Sequence, residues 1–154
     1  MSLLFQNFSF IIQGIYTILR DRTTTRGDFI FQADRLATVV IEKAMEQLPF
    51  DPVQVETPVG AIADGKMLNT LVCGVSITRS GGPLENGLRR VLRDVALGSL
   101  LIQSDPESGE PLLLNSTLPL CIRERETSQE VFVFVLDSQV RSLEMGYKSL
   151  LNLL

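Results

Sequence analysis

The stretch that decides the fold lies between residues 74 and 137. Residues 74–90 read GVSITRSGGPLENGLRR, residues 98–114 read GSLLIQSDPESGEPLLL, and residues 131–137 read VFVFVLD. Each piece holds an apolar, β-branched run that ends in a turn rich in Gly, Arg or Asp. Residues 71–77 are therefore expected to form a buried strand. Ser80, Gly81 and Gly82 make a turn, and Pro83 suits the first position of a helix. Leu84, Leu88, Val91, Leu92 and Val95 then recur at helical spacing, and 98–103 form a second strand. Strand, helix, strand is a βαβ unit, expected to be parallel and right-handed. Residues 131–136 show no alternation of apolar and polar positions, which predicts a strand in the middle of the sheet. The fold class expected is α/β: an open, mostly parallel sheet with flanking helices.

Upstream, Phe29, Ala33, Leu36, Ala37, Val40, Ile41, Ala44, Met45 and Leu48 form one broad apolar face, predicting a core-packing helix over 28–48. Thr25 with Asp28 resembles a capping box, and Pro49 stops the run. Residues 53–57 read as extended, broken by Pro58 and Gly60, and 64–70 read as turn and connector. Downstream, 104–110 is a polar loop, 112–114 a short strand and 123–130 a charged, exposed segment. The first nineteen residues carry no charge. They do not read as a signal peptide: there is no basic start, Gln6, Asn7, Ser9 and Gln13 interrupt the run, and no small-residue cleavage site follows. A membrane span needs about 20 mostly apolar residues. A leader that packs on the domain or on a partner is the expectation.

At 154 residues the chain fits one domain with a core of its own. Hydrophobic residues make up 45% and charged residues 21%, the balance of a globular protein. The net charge is −4, which argues against a nucleic-acid surface built on overall charge. The two cysteines, Cys73 and Cys121, form no CxxC pair, so they read as reduced intracellular thiols and a cytoplasmic protein is expected. There is no histidine, which removes the usual general base and the commonest metal ligand together. Chemistry here must rest on carboxylates, arginines, backbone amides or a bound ion.

In open α/β sheets, ligands bind beyond the carboxyl ends of the strands. Two such ends carry candidate residues. Thr78-Arg79-Ser80-Gly81-Gly82 combines glycines that let the backbone approach an oxyanion with a guanidinium that forks onto phosphate oxygens; an ordinary strand–helix turn has the same look. Asp137 follows the strand at 131–136, where a carboxylate either meets sugar hydroxyls or a magnesium-bound ligand, or simply caps a helix. Arg89, Arg90 and Arg93 are expected on a solvated helix face with Asp94 as partner. Arg20, Asp21, Arg22 and Arg26 read as a surface or subunit contact. No GxxxxGK[ST] phosphate loop is present, so kinase chemistry built on such a loop is not expected.

Together, the runs TILRDRTTTRGDFIFQADRL, LPF, TPVG, CGVSITRSGGPLENGLRRV, LGSLLIQSDPESGEPLLL, LP and VFVFVLD resemble the uracil phosphoribosyltransferase family. Among members of the family, the chain most resembles the version fused behind a uridine kinase in uridine–cytidine kinase-like proteins. It covers residues 13–140, with 1–12 an unmatched apolar leader and 141–154 a divergent tail.

The resemblance implies a type I phosphoribosyltransferase fold. It also implies the reaction of uracil with phosphoribosyl pyrophosphate to give UMP and pyrophosphate, with magnesium carried on the donor. Arg79 matches the family arginine that contacts pyrophosphate, with Ser80, Gly81 and Gly82 beside it. Asp137 matches the acid that opens the ribose-phosphate loop. A homo-oligomer is expected, and neither nucleic acid nor membrane as partner.

Three departures set the chain apart. Ser104, in IQSDPES, stands where the family often has a second pyrophosphate arginine. After Val140 the chain reads Arg141-Ser142-Leu143-Glu144, without the glycine the family loop turns on. The C-terminal part that adds strands and most of the uracil pocket is missing, so the domain reads as truncated after Val140. Little or no transferase activity is then expected of the chain alone. The alternative is a non-catalytic interaction module that pairs with a full-length subunit. The tail itself places Leu143, Tyr147, Leu150, Leu151 and Leu154 on one helical stripe, expected to cover the sheet.

Overall fold

The computed structural model describes residues 10–108, 111–123 and 131–151. Two helices come first, α1 (Phe10–Arg20) and α2 (Arg26–Met45), followed by a hairpin of β1 (Phe50–Glu56) and β2 (Ile62–Leu68). The central unit is β3 (Leu71–Thr78), α3 (Gly82–Val91) and β4 (Ala96–Ser104). After it come β5 (Pro111–Thr117), a short α4 (Leu120–Arg123), β6 (Val131–Leu136) and α5 (Val140–Leu151).

The Thr25–Asp28 cap forms as the sequence predicts, and α2 starts at Arg26, two residues ahead of the expected 28. The Asp28 N–H donates to Thr25 Oγ1 at 3.2 Å, and the Thr25 hydroxyl donates to Asp28 Oδ2 at 2.7 Å. Such a cap stabilises a helix by about 1 kcal/mol, and Asp28 adds negative charge at the positive end of the dipole. Past Met45, the Gln47 and Leu48 amides bond to Ala44 and Met45 carbonyls at 3.1 and 3.0 Å, tightening the chain into a turn before Pro49. The buried face comprises Ala37, Ile41, Met45 and Leu48. Phe29, expected in that face, is 48% exposed. The contact of α2 with α3 lies further along the helix: a Cβ on Gly87 would lie 3.0 Å from the Ala37 carbonyl carbon. Phe29 lies eight residues back, about 12 Å up the helix.

The main sheet has the strand order β5-β4-β3-β6. Strand β3 runs parallel to both β4 and β6, while β4 and β5 are antiparallel. The sheet is thus open and mostly parallel, as expected. Helices α2 and α3 cover one face through Ile41, Met45, Leu48 and Leu88, with Leu136 of β6 among them. On the other face, Ile122 of α4 and Leu150 of α5 pack with Cys73, Val75 and Leu100.

Strand β6 corrects a second expectation. It was expected in the middle of the sheet, but among the described residues it pairs with β3 alone and forms an edge. Its lack of alternation comes from cover on both faces: Phe134 and Leu136 join one cluster, and Val131, Val133 and Val135 the other. Two-sided cover needs no second neighbouring strand.

The connector expected at 64–70 is largely strand β2, paired to β1 from Phe50↔Leu68 to Glu56↔Ile62. Asp64, Gly65 and Lys66 look like turn residues, but ladder bonds come from backbone groups that every residue except proline supplies. The actual turn is at Gly60, in the left-handed region at φ 77°. In the tail, Leu150 is buried as expected, whereas Tyr147 and Leu151 are 54% and 53% exposed. Leu154 and the side chain of Leu143 lie outside what is described, as do most of segment 123–130 and the first nine residues. Helix α1 packs on α2 with Ile12 and Ile15 buried. Among the described residues, no helix is long and apolar enough to cross a membrane.

Candidate functional site

The carboxyl ends of β3 and β6 meet at one cleft of about 570 Å³. Thr78, Arg79, Ser80 and Pro83 line one side, Ser138 and Gln139 the other, with Ile77 and Ile102 also in the lining.

The first wall is a strand-to-helix turn. The Thr78–Arg79 peptide bond is cis. The Gly81 N–H returns to the Ile77 carbonyl at 2.8 Å, and the Gly81 carbonyl accepts from the Glu85 N–H at 2.9 Å, which opens α3. Pro83 sits at the start of that helix, where a missing N–H costs nothing. The two glycines differ. A Cβ on Gly81 would lie 2.3 Å from the Leu136 carbonyl oxygen and 2.5 Å from Ser76 Oγ. A Cβ on Gly82 would meet nothing within 4 Å. Arg79 is exposed and makes no ion pair among the described residues.

The second wall is built on Asp137, which is only 8% exposed. Its Oδ1 accepts the Ser80 hydroxyl and the Gln139 N–H, the latter at 3.0 Å. Its Oδ2 is buried and has no hydrogen-bond partner among the described residues. The bond to Gln139 is an Asx turn, and α5 begins one residue later. The Gln139 amide lies ahead of α5, whose first residue is Val140, so this bond makes a turn before the helix and not a cap on it.

The other arginines point elsewhere. Arg89 pairs with Glu85 at 3.1 Å. Arg90 pairs with Asp34 at 2.9 Å and donates to the Asp34 carbonyl at 3.1 Å, tying α3 to α2. Only Arg93 meets Asp94, at 3.6 Å with both side chains exposed. At the end of β4, Ser104 is exposed and opens a loop folded around Asp105. The Ser108 and Glu107 amides donate to Asp105 and hold its carboxyl below the usual range. Burial, and next the neighbouring Cys121, push the Cys73 thiol up to about 12. Among the described residues, no group of three or more His, Cys, Asp or Glu is placed to hold a metal ion.

Of the expected site residues, Arg79 and Ser80 line the cleft; Gly81 and Gly82 continue the same turn, and Asp137, bonded to Ser80, is buried outside the lining. Sequence reasoning missed the lining roles of Ile102, Ser138 and Gln139. Ile102 was within reach: in the parallel register Thr78 faces Leu101, so the next β4 residue stands beside the Arg79 turn.

The open, mostly parallel α/β sheet with flanking helices is a phosphoribosyltransferase-like fold. The particular family follows from comparison with known proteins. The family model for uracil phosphoribosyltransferase matches residues 8–144, and the chain belongs to that family. It is 42% identical over 124 residues to the uracil phosphoribosyltransferase of Lachancea kluyveri, covering 80% of this chain and 55% of that protein. The Dictyostelium discoideum enzyme of the same name is 41% identical over 115 residues, covering 75% and 53%. A uracil phosphoribosyltransferase homolog of Danio rerio is 43% identical over 115 residues, covering 75% and 45%. The chain thus spans about half the length of these relatives. The fold is similar to that of the AQ2163 protein from Aquifex aeolicus, with a TM-score of 0.69 at 20% identity, over 92% of this chain and 66% of that one.

Proposed function

We propose that this chain carries the phosphoribosyl pyrophosphate side of a uracil phosphoribosyltransferase of pyrimidine salvage. Its site would be Arg79, Ser80, Gly81, Gly82 and Asp137. The observation that carries the reading is the cleft itself, where Arg79, with no ion pair among the described residues, lines a glycine turn at the start of a helix. The reaction develops positive charge at the sugar C1 and negative charge on the leaving pyrophosphate. Donors fixed where that negative charge grows are what the chemistry needs most. Arg79 supplies a charge-assisted fork, and the amides at the start of α3 supply a partial positive charge.

Magnesium would arrive on the donor, held by diphosphate oxygens and water, as Mg²⁺ commonly is. The side chains around the cleft suit that arrangement better than a protein-held ion, because the one carboxylate beside it is turned inward to Ser80 and Gln139. The ion would neutralise the leaving group's charge; Arg79 would orient it. The chain would be of the kind fused behind uridine kinases and would act in the cytoplasm, a reading that the sequence resemblance supports.

Turnover by this chain alone should be low. Ser104 offers no positive charge where the family often has one, and the residues after Gln139 form helix α5 where a glycine loop is the family pattern. Calorimetry with magnesium and phosphoribosyl pyrophosphate tests the reading. Arg79→Ala should weaken binding by about 10- to 100-fold, the loss of a hydrogen bond to a charged group. Binding that is unaffected by the substitution refutes the site.

A second reading has its own observation. Phe29, Ile30 and Phe31 at the start of α2 are 48%, 48% and 60% exposed. An interaction module that pairs with a longer subunit would use such a surface. A monomer by sedimentation, both alone and mixed with a full-length relative, excludes it.

A further inference from the structure

We infer that Gly146 is a positioning residue: it lets helix α5 lie directly on Ile77 and Ile102, and that contact fixes how far the Ser138–Gln139 wall stands from the Arg79 wall. For donor binding the inference rests on the function proposed above; for the placement of the wall it stands independently.

A glycine inside a helix asks for a reason. It loses more backbone freedom on folding than alanine does and brings no side chain to pack. Gly146 stands in the middle of α5 and is buried. A Cβ there would lie 2.1 Å from Ile77 Cδ1, 2.9 Å from Ile77 Cγ1 and 3.7 Å from Ile102 Cδ1. The helix backbone thus rests on the two isoleucines with no room for a methyl group between. Leu150, one turn on and on the same side of the helix, is buried in the cluster of Cys73, Val75 and Leu100, and Ile102 packs against that cluster. Gly146 and Leu150 together seat α5 on the sheet.

The same two isoleucines belong to the cleft. Ile77 and Ile102 line it near the ends of the adjacent strands β3 and β4. Ser138 and Gln139, which line the side opposite Arg79, run directly into α5. From Gly146 back to Val140 is about 9 Å of helix, so a displacement at Gly146 is carried to the wall. A methyl carbon needs about 3.5–4.0 Å to its neighbours. Turning the Ile77 tip relieves only part of the overlap, because Cγ1 is too close as well. The rest falls on α5, which moves off the sheet and takes Ser138 and Gln139 with it. A misplacement of about 1 Å is enough to weaken a site whose two walls must meet one ligand.

The test uses the full chain as wild type, Gly146→Ala, Ile77→Val, the double variant and Leu150→Ala, each held well below its melting temperature. Calorimetry with magnesium and phosphoribosyl pyrophosphate reads donor affinity. Gly146→Ala should weaken binding by about tenfold. The double variant should bind at least about threefold more tightly than Gly146→Ala, because valine lacks the Cδ1 that the new methyl group strikes. Leu150→Ala loosens the far end of the same seat; it should lower the melting temperature yet bind within about twofold of wild type. Wild-type affinity in Gly146→Ala overturns the inference. So does a double variant no tighter than Gly146→Ala, or a loss in Leu150→Ala as large as that in Gly146→Ala, which would make the effect one of stability alone.

Hydrogen exchange on the ligand-free protein keeps the two proposals separable. The Gln139 amide, in the wall itself, donates to Asp137 Oδ1 at 3.0 Å. It should exchange several-fold faster in Gly146→Ala than in wild type, while the β1–β2 hairpin is unchanged. If the wild-type chain fails to bind the donor, the function proposed above falls and exchange alone decides whether Gly146 places the wall. Equal Gln139 exchange in the two proteins sinks the inference.

Discussion

The turn after β3 and the turn after β6 are joined by the Ser80–Asp137 hydrogen bond, yet different forces hold them. In the first, space decides. Gly81 lies so close to the Leu136 carbonyl and Ile77 N–H that no other residue fits, and the cation it carries, Arg79, stands in solvent. In the second, hydrogen bonding decides. Asp137 gathers a hydroxyl and an amide inward and leads directly into α5. One end presents its charge outward and the other turns its charge inward.

The largest expected effect breaks the first turn. Gly81→Ala places a methyl group 2.3 Å from a backbone carbonyl oxygen and 3.0 Å from the Ile77 nitrogen, and neither can rotate away. Overpacking of this kind costs about 1–3 kcal/mol, occasionally more. The upper end is expected here, since the strand end of β6 must shift. Urea unfolding measures it, and a midpoint equal to wild type shows that β6 does not lie against the turn.

The next effect probes the second turn through the helix it launches. Gly146 of α5 is buried, and a Cβ there would lie 2.1 Å from Ile77 Cδ1. Ile77 is the last buried residue of β3 before the cleft. Gly146→Ala should therefore destabilise by about 1–2 kcal/mol, less than Gly81→Ala, because a side-chain tip yields where a backbone carbonyl does not. A Tm drop larger than that of Gly81→Ala would reverse the ranking of the two turns.

Much of this was legible in the sequence. The βαβ unit could be read because Gly, Pro and the helical spacing of Leu84 and Leu88 are local signals, each interpretable within a few residues. The Thr25 cap was legible for the same reason. What escaped depends on partners distant in the chain. Strand β2 was hidden because its ladder uses backbone that Asp64 and Gly65 supply as well as valine would. The edge position of β6 was hidden because covered faces and a covered edge leave the same apolar run. Phe29 has the spacing of a core residue, but the neighbour that would bury it lies further along α2. The candidate residues Arg79 and Asp137 were found separately, each from its place after a strand. The bond between Ser80 and Asp137 was not, since no short-range pattern links positions 57 apart.

The smallest effect on stability falls on the residue beside the most sensitive one, and it separates fold from ligand. Gly82 opens α3 with a negative φ, and a Cβ there meets nothing within 4 Å. An alanine in a compatible conformation stabilises by about 0.4–1 kcal/mol, because the unfolded chain loses freedom. Gly82→Ala should therefore melt at or slightly above the wild-type temperature. If the donor's phosphates approach the backbone at this point, the same methyl group stands in their path and affinity falls while stability does not. Gly81 would then be a glycine the fold demands, and Gly82 one that only the ligand demands. Unchanged affinity in Gly82→Ala would move the anion off the start of α3 and leave Arg79 to hold it from the other side of the turn.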